Sequence, residues 1–276
     1  MLLVLALCFS LHTGHQKAPF LLQLQKASYE SLASTPFGIA VVDWEDARLT
    51  KSEIQRIKQQ GKTLVTYLSI GEAETYRDYW KKSWNTHPPV FLEKENPQWP
   101  GNYKVKYWQD EWQQIILDKL RKIIALGYDG VYLDIVDAYW YFEEKGNDSA
   151  RQAMINFIIR LSKTAKALNP EFLIIPQNAP ELITDLAYLA AIDGLGKEDT
   201  WYNDDIPLVG KNHDYELHYL RDAIKAGKFV LATDYMEDPA LQEDFITQAA
   251  KEGFIPFVGT RALDKSNINP AINCVE

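Results

Sequence analysis

Acidic side chains recur where short apolar runs stop. Asp43 ends FGIAVVD, Glu72 follows TLVTYLSIG, Asp134 and Asp137 close YLDIVD, and Asp234 ends the apolar part of FVLATDY. Gln177 and Asn178 end FLIIPQN, and Glu198 and Asp199 follow AAIDGLG. If these runs are parallel strands, the acids converge on one mouth. Burying them together is costly unless a cation, a metal or paired acid/base chemistry offsets the repulsion. His12, His15, His87, His213 and His218 end no run and form neither H-x-H nor H-E-x-x-H, which disfavours a zinc hydrolase. Oxygen-only magnesium or calcium coordination has no loop motif to mark it. No metal and no cofactor is expected.

Paired carboxyls acting on a glycosidic bond fit better, because that reaction needs one carboxyl as acid or acid/base and a second as nucleophile or base. Asp134 and Glu198 are the chosen pair. The run before Asp134 reads as a buried strand that would hold its carboxyl rigidly at the mouth. Glu198 lies in Gly194-Leu-Gly-Lys-Glu-Asp199, where two glycines would let the backbone turn. The bland reading is that either acid caps the following helix or pairs with Lys197 or Arg261. Aromatic residues agree with a sugar ligand, since pyranose C–H faces stack on indoles. Trp44, Trp140 and Trp201 each fall just after a strand end, and Trp201 with Tyr202 is the stronger candidate. Trp80, Trp84, Trp99, Trp108 and Trp112 crowd one stretch, where rim and packing roles are equally open. Gln177 and Asn178 could bond sugar hydroxyls.

Short β-branched runs alternate with segments of helical period, the pattern of repeated βα units. Seven strands are expected, within 37–43, 63–71, 128–135, 172–178, 190–196, 229–235 and 254–261. Thr50-Lys-Ser-Glu53 reads as a capping box, and helices are expected over 111–126, 149–168, 215–226 and 239–252. An eighth strand, Tyr103 to Trp108, would close a single-domain α/β (β/α)8 TIM barrel. A doubly wound open sheet is the alternative, but the turn Asp43-Trp44-Glu45 is not a Gly-rich phosphate loop. The expected organisation is a signal peptide over 1–14, an N-terminal extension over 15–35 and a catalytic barrel over 36–276.

The chain's 29 Lys+Arg against 38 Asp+Glu give a net charge of −9. That disfavours nucleic acid and suits a neutral or cationic ligand. The apolar Met1–Leu11 has the length of a signal-peptide core and falls short of the roughly 20 residues of a spanning helix. A secreted or periplasmic location is therefore expected, with no integral span in the mature chain. Cys8 raises lipid attachment as a minor alternative. Cys8 and Cys274, the two cysteines, do not make a disulfide scaffold.

The pieces YLSIGEAE (Tyr67 to Glu74), GYDGVYLDIVDAY (Gly127 to Tyr139), PQN (Pro176 to Asn178) and KEDTWY (Lys197 to Tyr202) resemble glycoside hydrolase family 114, the endo-α-1,4-polygalactosaminidases. The resemblance implies a barrel that cleaves α-1,4-linked galactosamine-rich polysaccharide, with the two catalytic carboxylates on Asp134 and Glu198. Tyr67 and Tyr132, inside these pieces, join the candidate substrate contacts. The ammonium of a de-N-acetylated sugar would suit Asp43, Glu72, Asp137 or Asp234. The expected activity is retaining and endo-acting, with Asp134 as nucleophile and Glu198 as acid/base. A non-catalytic carbohydrate-binding barrel is the alternative. A Schiff-base lyase using Lys197 ranks last, because the neighbouring Glu198 and Asp199 weigh against a neutral amine.

Overall fold

A computed structural model describes residues 19–266. Eight parallel strands follow one another in chain order: β1 (Phe20–Gln23), β2 (Ile39–Val42), β3 (Thr63–Ser69), β4 (Gly130–Asp134), β5 (Leu173–Pro176), β6 (Gly194–Glu198), β7 (Phe229–Tyr235) and β8 (Ile255–Gly259). Strands β1 to β5 form one hydrogen-bonded sheet and β6 to β8 another. A Gln177–Gly196 bridge joins β5 to β6. At the other seam, the Leu24 and Gln25 amides both donate to the Leu263 carbonyl, at 2.9 and 3.0 Å. The Phe20 ring meets Phe257 edge-on at 5.7 Å. The architecture is a single-domain α/β (β/α)8 barrel.

Strand β1 falls within the stretch expected to be an N-terminal extension. Tyr103 to Trp108 is not a barrel strand. Instead, Asn102–Val105 is the middle strand of a small antiparallel sheet with Glu72–Glu74 and Leu92–Glu95, inserted after β3. The alternation Tyr103-Lys-Val-Lys106 fits a half-covered antiparallel strand, whereas barrel strands are apolar on both faces. Strand β6 also lies later than expected, because Leu186–Ala191 is a short helix. The signal-peptide reading of Met1–Leu11, and both cysteines, lie outside the described residues.

The helices follow from local chemistry. Thr50 and Glu53 form the expected capping box at the start of helix Lys51–Lys58. Helix Asp110–Leu126 buries Trp112, Ile116, Leu120 and Ile123 along one stripe and stops at Gly127, whose φ of +100° is left-handed. Helix Ala150–Leu168 does the same with Met154, Phe157, Ile158, Leu161 and Ala165. Among the described residues, no helix is long and apolar enough to cross a membrane.

Candidate active site

Side chains two apart on a strand share a face. Tyr132 and Asp134 of β4 therefore point inward together, as do Gly196 and Glu198 of β6. The Tyr132 ring occupies the space that a Cβ at 196 would need, so Gly196 serves close packing between facing strands and not the turn expected from sequence. Past the strand end, β4 turns through Ile135 at φ +59°, an uncommon conformation for a β-branched residue and a mark of imposed strain. Gly71 permits the turn, because any side chain there would strike the Ile135 carbonyl. Asn178 and Asp199 are also left-handed, at +60° and +51°. Three consecutive strands thus end in sharp turns that leave their last side chains at the mouth.

The mouth holds a cavity of about 650 Å³ lined by Asp134 and Glu198. Asp134 accepts hydrogen bonds on both oxygens, from the Tyr67 hydroxyl and the Ile135 amide, each at 2.8 Å. Glu198 accepts from the Tyr235 hydroxyl. Burial, followed by the charge of Glu198, pushes the Asp134 carboxyl up to about 8, against the pull of its two donors. Burial also raises Glu198. Because Asp134 feels the charge of Glu198, the two carboxyls titrate as a coupled pair. Neither takes the bland role: Arg261 pairs with Asp199 at 2.8 Å and Asp204 at 3.0 Å, and Lys197 pairs with Glu216 at 3.3 Å. Lys197 does not line the cavity, which leaves it badly placed for a Schiff base.

Asp43, Tyr67, Glu72, Tyr132, Asp137, Gln177 and Asn178 also line the cavity. Asp43 caps the helix Trp44–Ala47 and takes a 2.6 Å ion pair from Arg77. Glu72 is held by Asn96, Asn102 and Lys104. Asp137 is raised chiefly by burial, with Lys104 drawing it back. The Tyr132 hydroxyl is buried without a hydrogen-bond partner. Among the described residues, no cluster of three or more His, Cys, Asp or Glu could hold a metal ion.

Five expected contacts lie elsewhere. Trp44 lines a neighbouring groove. Asp199 is held by Arg261 outside the cavity lining. Trp201 packs on Phe245 and Phe254, each with ring centroids 5.8 Å away. Tyr202 donates to Asp244 at 2.6 Å. Asp234 is fully buried and accepts the amides of Thr200, Trp201 and Tyr202 at 2.6, 2.8 and 2.9 Å. It anchors the loop after β6. Asp234→Ala would orphan three buried amides, so a loss of about 3 kcal/mol is expected, or roughly 6–12 °C in Tm by thermal denaturation. A melt within 2 °C of the parent, roughly the effect of an ordinary surface change, would show that the anchor is dispensable.

The lining also holds Glu74, Tyr76, Arg77, Asn102 and Tyr235, which the sequence did not single out, together with Trp99, whose role it left open, and Arg261, which it named only as a possible partner of the acids. Tyr235, the last residue of β7 and one past Asp234, lies on the opposite face, but which face turns inward is set by the barrel. Trp84 and Trp112 of the Trp-rich stretch are buried, while Trp99 is 62% exposed at the cavity rim. Trp140 is likewise exposed but is not part of the lining.

A barrel with two coupled carboxyls at the carboxyl ends of β4 and β6, in a cleft open to solvent, is the architecture of a glycosidase. Comparison with known proteins agrees, and the chain belongs to glycoside-hydrolase family GH114, whose profile matches residues 10–274. It is 40% identical over 239 residues to a protein of Deinococcus radiodurans, covering 86% of this chain and 77% of that one. A Thermotoga maritima protein is 35% identical over 267 residues, covering 91% and 83%. Among solved structures, the glycoside hydrolase domain of PelA from Pseudomonas aeruginosa superposes with a TM-score of 0.72 at 20% identity, covering 91% of this chain and 98% of that one. Aspergillus fumigatus Ega3, solved in complex with galactosamine, has a TM-score of 0.71 at 20% identity, covering 91% and 94%.

Proposed function

We propose that this glycosidase is endo-acting and cleaves α-1,4-linked galactosamine-rich polysaccharide with retention of configuration. The observation that carries the reading is the pair itself: Glu198 is the largest electrostatic influence on Asp134 after burial. Asp134, gripped by two donors, is the nucleophile in the form of the coupled pair that carries its proton on Glu198. One of its oxygens attacks the anomeric carbon as the glycosidic C–O bond breaks, and Glu198 gives its proton to the departing oxygen. Glu198, now a carboxylate, takes a proton from water, whose oxygen displaces Asp134 and restores both groups.

The substrate class rests on charge. Carboxylates outnumber guanidiniums in the lining, and Asp137 there has no ion-pair partner at salt-bridge distance among the described residues. Such a cavity favours an ammonium-bearing sugar over a neutral one. The galactosamine bound to the Ega3 neighbour supports the same choice. A polymer substrate also suits export, with Met1–Leu11 as the signal and the barrel as the catalytic domain.

Purified protein incubated with de-N-acetylated α-1,4-galactosamine polymer should release reducing ends as a ladder of oligomers, with the first-formed anomer α by NMR. A β first anomer would overturn retention. Release of monosaccharide alone would overturn endo action, and no release would overturn the substrate.

A further inference from the structure

Beside the catalytic cavity lies a second, open groove of about 460 Å³, and the two share Glu45, Arg48, Tyr76 and Arg77. Tyr76 stands at the junction. The residue is 64% exposed, yet its side chain is pinned twice. The hydroxyl donates to Glu74 at 2.6 Å, and the Arg77 guanidinium lies 5.0 Å from the ring centroid. Arg77 is itself held by Glu74 and Asp43, both at 2.6 Å. An exposed aromatic ring ordered in this way is a ready surface for a sugar face, because little side-chain freedom remains to be lost on binding. Trp44 forms another part of the groove wall, backed by the Lys119 ammonium 5.1 Å from its ring centroid.

The groove differs from the cavity in charge. Its two acids, Glu45 and Asp78, are both paired with the buried Lys119, and Lys122 adds a second partner to Asp78 at 3.3 Å. Arg48 is exposed, and its Nε donates to the Glu45 carbonyl at 3.1 Å. Among the described residues it has no carboxylate at ion-pair distance. An ammonium entering this groove would meet neutralised acids and an unpaired guanidinium, whereas an acetamido sugar would meet the same surface with no repulsion.

We propose that the groove built on Tyr76, Trp44 and Arg48 is a further glycan subsite that takes an uncharged, N-acetylated residue of the polymer whose cleaved linkage lies between Asp134 and Glu198. This rests on the galactosamine reading above. It makes the enzyme a reader of mixed acetylation, with an amine favoured at the cavity and an acetamide beyond it.

The test compares wild type, Tyr76→Ala, Tyr76→Phe and Arg48→Glu on fully and partly de-N-acetylated α-1,4-galactosamine polymers, scored by reducing ends at low ionic strength. Tyr76→Ala should lower kcat/KM about tenfold on the partly acetylated polymer, mainly through KM, and distinctly less on the fully deacetylated one. Tyr76→Phe keeps the ring and should keep the discrimination. Arg48→Glu, a change at an exposed site, should raise the ratio of kcat/KM for the fully deacetylated polymer over the partly acetylated one about threefold. Equal losses on both polymers, or a ratio that Arg48→Glu does not move, would overturn the subsite alone. A wild type that cleaves neither polymer would overturn the substrate assignment and the subsite with it.

Discussion

Asp134→Asn is expected to lower kcat/KM on the polymer roughly 10⁴-fold while making the protein more stable at alkaline pH. The activity falls because an amide cannot form the glycosyl ester. The stability rises because the native state holds Asp134 up to about 8, whereas an unfolded aspartate titrates near ~3.9. Below the unfolded value both states are protonated and the group has no pH-dependent effect. Between the two values the unfolded chain releases its proton and the native chain keeps it, so stability declines as pH rises. Above about 8 the full cost of the buried charge is present. Asparagine removes that cost, and its carbonyl oxygen can still accept from the Ile135 amide while its NH₂ faces the Tyr67 oxygen. Thermal melts should therefore show little gain at pH ~4 and a gain of at least about 2–4 °C at pH ~8.5, taking ~1 kcal/mol as a floor. A pH-independent Tm difference would refute the buried-carboxyl account even if activity were lost.

Glu198→Gln should cost about 10²–10⁴-fold on the polymer, the usual worth of a general acid, and should alter the pH profile as well. In the wild type, kcat/KM is expected to be bell-shaped, with an alkaline limb near 8 where the coupled pair loses its proton. Glutamine removes the charge that pushes Asp134 upward. On a substrate whose leaving group needs no proton, the residual rate should then follow a single ionisation of Asp134 at lower pH than in the wild type. In Glu198→Ala, where the side chain is removed, azide supplied in the space once held by the carboxylate should restore turnover and yield the α-glycosyl azide, as retention requires. If the alkaline limb stays in place in Glu198→Gln, Glu198 is not the group coupled to Asp134.

The sequence made the placement of the proposed pair at the mouth legible because that placement needs only local information. Apolar runs end at Asp134 and near Glu198, and strand ends in this architecture face one mouth. The glycines at 71 and 196 were visible as residues, but their reason was not, since it lies in the Ile135 carbonyl and the Tyr132 ring packed against them. Phe20–Gln23 was too short a run to show a period of its own. Only pairing with β2 identifies it as the first barrel strand.

Composition, alternation and strand-end chemistry by themselves determined the class of fold, the acidic mouth and the two acids proposed to act there. Tertiary structure decided which of Asp234 and Tyr235 enters the site, because one residue of strand parity separates a loop anchor from a ligand of Glu198. It also decided that Arg77, Tyr76 and Trp99 reach the rim from the excursion after β3, and that Trp201 serves packing. Periodicity reports which face of an element is apolar. Which partner that face meets depends on contacts between residues far apart in the chain, and only the closed barrel brings those together.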